Sequence, residues 1–390
     1  MGLGKLVWRN LGRRKLRSFL TVSSLIVALF LLCTLRSLIT TIAAGTSAAS
    51  NQRLIVQSAV SLFVDLPMAY QAKIASVAGV QRISPWQWFG GYYQDESNQF
   101  AQFAVDATET LAIYPEMEFI EGSLESFLGN RRGCLIGAGL VEKFGFALGD
   151  TLPILPGLHP HPDGPGVAWE FVVEGIYEPT QRNFDRSMLM FHWKYFEETT
   201  RAASGEEPGV GTYVLQLSDE VAPTTVMARV DELFENGPQR VQTTSEAEFQ
   251  AQFISMLGNI PFFLTTIGGG VLAAILLAVV NTMMMAGREQ TRDLGILKAL
   301  GFSDGDTVRL LVFQSLFLCG LGGALGIGLA KLAEPGLARA MGSFFPGYHV
   351  AGVTLLQGLS VTIALGLVAG IAPAWRAARL GTVDALATEE

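Results

Sequence analysis

Acidic residues are missing from the four most apolar stretches of this sequence. These are residues 18–35, 262–286, 308–330 and 353–374, and each has close to the ~20 residues that a helix needs to cross a bilayer. They account for much of the 49% hydrophobic content and of the mean hydropathy of +0.36. The pattern excludes a purely water-soluble chain and predicts an α-helical membrane protein with four transmembrane helices.

Cysteine is also scarce, with three residues in a chain of 390. Cys33 and Cys319 lie in apolar stretches and the third stands alone, so their spacing gives neither a disulfide framework nor a metal site. A loop rich in proline and glycine, residues 156–166, carries His159 and His161 with Asp163, but the sequence offers no fourth ligand. We therefore predict no metal in this chain.

Motifs for nucleotide binding and for hydrolysis are absent from the sequence. The pair Gly4-Lys5 lacks the upstream glycine and the following Ser or Thr of a phosphate-binding loop. Neither Gly-x-Ser-x-Gly nor His-Glu-x-x-His occurs. We predict that this chain is not an enzyme, has no catalytic residue and binds no cofactor, so that ATP and magnesium would be bound by a partner.

Lysine and arginine are distributed unevenly around the four stretches. Six precede the first, four surround the connection between the second and third, and two follow the fourth, whereas Lys331 and Arg339 are the two between the third and fourth. Basic residues favour the cytoplasmic side of a membrane. We therefore expect both termini and the second-to-third connection in the cytoplasm, and residues 43–258 outside it.

The outer region is strongly acidic. Residues 43–258 hold 12 Lys or Arg and 27 Asp or Glu, a net charge of −15, against −8 for the whole chain. Such a surface argues against nucleic acid as a partner.

Short strand-like runs between glycine and proline predict a mixed α/β domain in this region. The strand predictions are residues 54–64, 100–107, 134–136, 151–155, 170–177, 188–191 and 213–217, and the helix predictions are 68–77, 140–144, 193–200 and 222–236. Residues 245–257 are predicted to continue as one helix into the second span.

Glycines recur in the second and third spans at spacings that favour close helix packing. Glycine contributes nothing at a position that faces lipid, which favours a packing role for these residues. The alternative is that glycine is simply commoner in membrane helices than in soluble ones. The predicted packing residues are Gly268, Gly269, Gly270, Gly322, Gly323 and Gly326.

Residues 288–303, the cytoplasmic connection, form the most informative stretch. The run from Glu289 to Leu300 predicts a short helix, with Ile296, Leu297 and Leu300 near one face and charged residues on its exposed side. Gly301 would end this helix, and Ser303 with Asp306 would form a capping box that starts the third span. From the residues alone this element is either an interfacial connector or a docking element for a cytoplasmic partner.

The same stretch resembles the coupling segment of the MacB/FtsX-like permease family. That family has a pattern like E-x-x-R-E-I-G-x-L-R-A-I-G-A-S before its third span. The direct matches are Glu289, Arg292, Gly295, Leu297, Ala299, Gly301 and Ser303, and the close substitutes are Asp293, Leu294, Lys298 and Leu300. Phe302 departs from the usual small residue. Similar patterns occur at residues 8–17, 133–150 and 373–386, so the resemblance covers nearly the whole chain.

The resemblance implies a function. Members of this family dimerise, bind two copies of a cytoplasmic ABC ATPase through the coupling segment, and use ATP to move their outer domains. We expect a permease subunit of the bacterial inner membrane, paired with an identical or related protomer and with a separate ATPase polypeptide. The expected coupling residues of this chain are Glu289 and residues 292–301, which include Ile296. The substrate would be a lipid, lipoprotein, peptide or drug-like molecule, with a possible periplasmic adaptor or lipoprotein partner. The alternative is a mechanotransmitter that transports nothing and regulates an outer partner.

The N-terminal segment predicts an amphipathic helix at the membrane surface. Its basic and aromatic residues would contact anionic lipid, or would simply set the topology. The interfacial residues are Lys5, Trp8, Arg9, Arg13 and Arg14.

The predictions combine into one layout. It comprises a cytoplasmic amphipathic helix (1–17), the first span (18–42), the outer domain (43–258), the second span (259–286), the coupling segment (287–307), the third span (308–331), a short outer loop (332–352), the fourth span (353–374) and a cytoplasmic tail (375–390).

Overall fold

The computed structural model describes residues 15–48, 52–164, 166–181, 184–256, 259–341 and 347–379. It divides into two compact units. The membrane unit comprises Met1–Thr40, Asn259–Leu337 and Tyr348–Glu390, and the outer domain comprises Thr41–Gly258 and Ala338–Gly347. The predicted interfacial residues from Lys5 to Arg14 lie outside the described residues.

The outer domain is built on one mixed sheet, with eleven strands in the described part of the chain. The strands are β1 Arg53–Ser58, β2 Val80–Trp88, β3 Tyr92–Tyr93, β4 Gln102–Val105, β5 Met117–Gly122, β6 Gly133–Gly137, β7 Thr151–Leu155, β8 Trp169–Pro179, β9 Leu189–His192, β10 Thr212–Leu217 and β11 Val241–Ser245. Their order is β11-β1-β10-β2-β4-β9-β6-β8-β7-β3, with β5 also paired to β8. The pairs β4 with β9 and β6 with β8 are parallel, and the other pairs are antiparallel.

Seven short helices accompany this sheet among the described residues. They are α2 Tyr70–Ala75, α3 Ala107–Ile113, α4 Leu124–Gly129, α5 Ala138–Phe144, α6 Trp193–Ser204, α7 Pro223–Leu233 and α8 Glu246–Met256. Alternate residues of one strand belong to different cores: Leu54 and Val56 of β1 join one cluster, and Ile55 joins the other. Because successive strand side chains point to opposite faces, both faces of the sheet are covered.

The mixed α/β domain is confirmed, and each strand predicted from the sequence overlaps an observed strand. The sequence analysis missed β2, β3, β5 and β11, and also α3 and α4. The nine-residue β2 includes Ser84, Pro85 and Gln87, which weaken a strand pattern. It forms because β10 and β4 pair with it on either side, and such long-range pairing leaves no local trace.

Four helices in the described residues are long and apolar enough to cross a membrane, as predicted. They are α1 Lys15–Ala48, α9 Ile260–Glu289, α11 Asp304–Met341 and α12 Gly352–Arg379. A shorter helix, α10 Thr291–Ala299, lies between α9 and α11. The helix α11 begins inside the predicted coupling segment and runs to Met341, so the predicted loop at 332–352 is helical over its first ten residues. Pro335 lies within this extension, so one backbone donor is missing there.

One further expectation is wrong. The sequence predicted one continuous helix from the outer domain into the second span, but Asn259 is not helical and begins a separate helix. Its side-chain oxygen accepts a hydrogen bond from the Phe262 amide at 3.2 Å, and Pro261 follows at the first turn. Asparagine caps and early prolines are typical starts of new helices.

Glycines let α11 pack directly against two neighbouring helices. A Cβ atom added at Gly322 would lie 2.6 Å from Leu25 Cβ, and one at Gly326 would lie 2.7 Å from the Ile26 carbonyl oxygen. At Gly323 it would collide with the Thr362 side chain of α12. Three of the six predicted packing glycines therefore lie at tight contacts within one chain, where a larger residue would force the helices apart.

The other three predicted packing glycines lie on α9 and behave differently. A Cβ atom at Gly268 would meet Leu32 and Leu35 at an ordinary 3.8 Å, and Gly269 and Gly270 face open space. Among the described residues of a single chain, Gly269 and Gly270 therefore pack against no neighbouring helix. Contact with a second chain remains a prediction for these two residues.

Candidate functional site

The short helix α10 begins one residue after α9 ends. Gln290 is the residue between them, and its amide donates to the carbonyl oxygens of Ala286 and Arg288. At the other end Gly301 has a φ of +93°, which favours glycine. The Gly301 amide donates to the Lys298 carbonyl at 3.0 Å, and the Phe302 amide to the Leu297 carbonyl at 3.1 Å. These two bonds form a Schellman motif, which ends the helix as predicted.

The predicted capping box at the start of α11 is also present. The Asp306 amide donates to Ser303 Oγ at 3.2 Å, and the Ser303 amide donates to Asp306 Oδ2 at 3.1 Å. Each side chain therefore satisfies a backbone donor of the other residue. Both ends of the connection between α10 and α11 are fixed by local hydrogen bonds.

The buried face of α10 packs on α11 and α12. Leu294 is 3% exposed and joins a cluster with Leu310 and Leu311 of α11 and with Ala374 and Ala377 of α12. Gly295 beside it is buried as well. The small alanines let α12 approach α10 closely, so the short helix is held by two membrane helices besides the one that precedes it.

Lys298 lies on the buried side of α10, contrary to the prediction that the charged residues are exposed. Its side chain is 7% exposed, and its Nζ pairs with Asp304 Oδ1 at 2.8 Å. The same Nζ donates to the Ala377 carbonyl oxygen at 2.9 Å. That carbonyl belongs to the last turn of α12, where carbonyl oxygens lack partners within their own helix and favour a cation.

The exposed face of α10 is largely apolar. Ile296, Leu300 and the adjoining Phe302 are 44%, 72% and 52% exposed, and Arg292 and Ala299 are exposed beside them. The sequence analysis placed Ile296 and Leu300 on one face with Leu297, but Leu297 is partly buried against α11 and α12. We call Arg292, Ile296, Ala299, Leu300 and Phe302 the coupling face.

A second ion pair connects α1 to the end of α9. Arg17 donates two hydrogen bonds to the Glu289 carboxylate, from Nη1 to Oε2 at 3.0 Å and from Nη2 to Oε1 at 2.8 Å. Such bidentate pairs are stronger and more directional than single contacts. The residues directly before α10 are therefore tied to α1, and α10 itself is tied to α12.

The outer domain contains a buried charge cluster that the sequence analysis missed. Arg53 Nε pairs with Glu246 Oε2 at 2.8 Å and Arg53 Nη2 with Glu116 Oε1 at 2.7 Å, and its guanidinium lies 4.4 Å from the centre of the Tyr114 ring. Burial, together with the Glu246 carboxylate, raises the pKa of the Tyr114 hydroxyl well above its usual value. No sequence spacing signals this cluster, because its members are up to 193 residues apart.

The histidine loop has a structural explanation. His159 Nε2 bonds the Trp88 carbonyl oxygen at 3.1 Å, and its ring packs edge-on against Phe196 with 4.8 Å between the centroids. Burial lowers the pKa of His159, which favours the neutral ring. Across the described residues no three His, Cys, Asp or Glu side chains are grouped to bind a metal ion.

The fold, with four apolar helices and an α/β domain inserted after the first of them, defines the class of multi-span membrane proteins with one large domain outside the membrane. Two families match the sequence: the MacB-like periplasmic core domain over residues 18–233, and the FtsX-like permease C-terminal domain over residues 265–382. The first match alone covers more than half of the chain. The chain belongs to the MacB/FtsX-like permease family.

Similar proteins include the macrolide export ATP-binding/permease protein MacB of two bacteria. The protein from Escherichia coli (strain K12) is 35% identical over 115 residues, which are 29% of this chain and 17% of that protein. The protein from Photorhabdus laumondii is 30% identical over 145 residues, or 37% and 21% of the two chains. The matched segments thus make up about a fifth of these relatives.

Two solved structures are also similar. The periplasmic region of MacB from Actinobacillus actinomycetemcomitans has a TM-score of 0.39 and 10% identity, and covers 55% of this chain and 97% of that one. The extracellular domain of the transporter YknZ from Gram-positive bacteria has a TM-score of 0.36 and 12% identity, and covers 50% and 100%.

Proposed function

We propose that this chain is the permease subunit of an ABC transporter, and that a separate cytoplasmic ATPase binds its coupling face. The main supporting observation is the exposed apolar surface of Ile296, Leu300 and Phe302. It lies on α10 and on the residues directly after it, and the other side of α10 packs against α11 and α12. Exposed apolar patches with a charged rim are typical of protein interfaces. In this arrangement ATP and magnesium are bound by the partner.

The contacts of α10 support a role in transmitting movement. A displacement of the coupling face would act on α12 through Lys298 and, through Glu289 and Arg17, on α1. The helix α1 precedes the outer domain in the chain, and α9 follows it. Because paired charges and packed alanines resist separation, a push on α10 would be shared among the membrane helices.

The work done by this movement is export or extraction of a lipid, lipoprotein, peptide or drug-like molecule. The names of the MacB relatives, which refer to macrolide export, support a small apolar cargo. The alternative, mechanotransmission to an outer partner, is favoured by one observation. Gly322, Gly323 and Gly326 seat α11 directly on α1 and α12, so a cargo could pass between these helices only if they separated.

Exposed apolar residues at one end of the outer sheet support an extracytoplasmic partner, such as an adaptor or a lipoprotein. Phe63 is 83% exposed, and Leu158 and Trp88 are exposed with their side chains close to Gly90. The loop of Phe63 is tied to the same strand end, because Gln87 Nε2 donates to Asp65 Oδ1 at 3.2 Å. A partner that covers this end would bury several large side chains.

A second protomer, identical or related, completes the proposed assembly in the bacterial inner membrane, with both termini cytoplasmic. The helix α9 supports this proposal, because its most apolar stretch is 17% buried in one chain, against 50% for α11. Gly269 and Gly270 would allow a neighbouring helix to approach this exposed side closely.

A matched pair of substitutions tests ATPase binding. Leu300 in the coupling face and Leu332 near the other end of α11 are 72% and 80% exposed. Leu300→Glu should reduce co-purification of the ATPase at least about tenfold, because it places a charge in an apolar contact. Leu332→Glu should insert into the membrane equally well and keep the ATPase. Equal co-purification by both variants would exclude the coupling face as the binding surface.

A further inference from the structure

Arg36 places a positive charge inside the first predicted span. It is the only basic residue between positions 18 and 42, and it lies about 9 Å along the helix from the end of that span. Ionised side chains at such depth are rare in membrane helices, and they usually face another polar group or a ligand. Neither the proposed contact with the ATPase nor the glycine packing of α11 uses this charge.

The Arg36 guanidinium is not neutralised by a carboxylate. Its Nε donates to the uncharged Gln357 Oε1 of α12 at 3.2 Å, and no Asp or Glu among the described residues forms an ion pair with it. Glu334, toward the far end of α11, already pairs with Lys331. Because arginine carries five donors and no acceptor, the remaining donors of Arg36 need an acceptor from elsewhere.

The contact between α1 and α12 fixes the position of this cation. A Cβ atom added at Gly358, next to Gln357, would lie 3.0 Å from Cys33 Sγ and 3.2 Å from Ile327 Cδ1 of α11. The helices α1, α11 and α12 therefore meet one turn before Arg36 in α1. The half-buried Arg36 side chain lies at the edge of this contact, where Gln357 holds it.

Two buried hydroxyl groups at this end of the same contact also lack partners. Ser37 follows Arg36 in α1, and Thr354 lies one turn from Gln357 in α12; they are 0% and 1% exposed. Neither hydroxyl oxygen forms a hydrogen bond within the described part of the chain. Ser37 lies near the Tyr348 hydroxyl, but a bond between the two would still leave one hydroxyl hydrogen without an acceptor. Buried polar groups normally find partners, so this end of the helix pair lacks acceptors.

We propose that Arg36, held by Gln357, binds the phosphate of a phospholipid headgroup. Phosphate supplies strong acceptor oxygens and the charge that neutralises a guanidinium. Leu356 and Ile363, 65% and 47% exposed on α12, provide apolar surface for an acyl chain, which a free phosphate ion lacks. The inference rests on the orientation given in the proposed function, which makes the outer leaflet the source of the lipid. Among the cargo classes proposed above, a phospholipid supplies this phosphate.

Native mass spectrometry of the full-length chain, purified in detergent without its ATPase, tests the site. The probes are phosphatidylglycerol and the diacylglycerol with the same acyl chains, which lacks the phosphate. We expect phosphatidylglycerol to be retained at least about tenfold more strongly, and Arg36→Gln should remove most of this difference. Arg36→Lys keeps the charge without the planar donor set and should give an intermediate retention.

The matched control is Lys331→Gln, which removes a cation already paired with Glu334 and should leave lipid retention unchanged. Inorganic phosphate in millimolar excess should not displace the lipid.

Equal retention of the two lipids by the unmodified chain would overturn the proposal, and this comparison needs no variant. Equal loss of phosphatidylglycerol from Arg36→Gln and Lys331→Gln would also overturn it. Displacement by inorganic phosphate would assign the site to a free anion, and a shift from dimer to monomer in Arg36→Gln without lipid loss would assign Arg36 to a second protomer. Because no ATPase is present, these failures are separate from a failure of ATPase binding.

Discussion

The outer domain and the membrane unit place their charges in opposite ways. In the outer domain Arg53, Glu116 and Glu246 lie buried in one cluster, with side chains 8%, 6% and 9% exposed. In the membrane unit, the ion pairs found between different helices of the described residues lie at the end that carries α10. The outer domain thus has a cluster of ion pairs in its core, whereas the membrane unit has its interhelix ion pairs at the end where the ATPase is proposed to bind.

The largest expected effect comes from opening the buried cluster. Arg53→Met should destabilise the outer domain by about 3–5 kcal/mol, because Glu116 and Glu246 would stay buried without their cation. Hydrogen exchange at the β1 amides in urea would measure the loss. Arg82→Met, which breaks a more exposed ion pair with Glu109, is the control and should cost less than about 1 kcal/mol. A similar small loss for Arg53→Met would mean that the cluster does not fix the domain.

A second change tests packing in the membrane unit, where glycine contacts replace buried charge. Gly322→Leu should cost about 1–3 kcal/mol, because an added Cβ alone would lie 2.6 Å from Leu25 Cβ. Gly269→Leu, where the space is open, should be tolerated in the isolated chain. Thermal unfolding in detergent would compare the two variants, and equal melting temperatures would contradict the contact between α11 and α1.

The third change removes the charge tie of α10. Lys298→Met should loosen the short helix by about 1–2 kcal/mol, since the Nζ bond to the Ala377 carbonyl and the pair with Asp304 are both lost. Faster amide exchange confined to α10 would report this loss. Arg292→Met on the exposed side should leave exchange unchanged. A normal exchange rate in Lys298→Met would mean that packing alone positions α10.

The smallest effect depends on pH in the outer domain. Burial raises the pKa of Asp185 from 3.8 to about 6, although the Ser187 amide bonds its carboxylate. The folded state therefore binds the proton more tightly than the unfolded state, so this residue's contribution to stability is fully present below pH 3.8 and is lost as the pH rises through about 6. Full linkage of this pKa change would amount to about 3 kcal/mol, but the Asp185 side chain is partly exposed, so Asp185→Asn should remove a pH dependence on the order of 1 kcal/mol. Urea unfolding of both proteins at several pH values measures this difference. If the Asp185 carboxyl were fully solvated, the free energy of unfolding would depend on pH in the same way for both.

Local features of the coupling segment could be predicted from the sequence. Gly301 ends α10, and Ser303 with Asp306 starts α11, because each signal depends on neighbours within a few residues. The buried side of α10 could not be predicted. Lys298 is buried because its Nζ donates to the Ala377 carbonyl oxygen. That residue lies 79 positions further along the chain, so no local pattern indicates the contact.

The same limit applies to the outer domain. The strands β6 and β7 were predicted as short apolar runs, whereas β2 was missed because its polar and proline residues become acceptable only between β10 and β4. The cluster around Arg53 likewise joins β1, the segment before β5 and the start of α8. Long-range pairing, rather than propensity, determines these features.

The central claim is that the coupling face lies in the cytoplasm and is covered by an ATPase. Thiol labelling of Leu300→Cys with a membrane-impermeant maleimide tests it most directly, because the native Cys33, Cys134 and Cys319 are buried. We predict no labelling from outside intact cells, rapid labelling in inside-out vesicles, and protection there by bound ATPase. Phe63→Cys in the outer domain should give the reverse pattern. Labelling of Leu300→Cys from outside, at the rate of Phe63→Cys, would contradict the account.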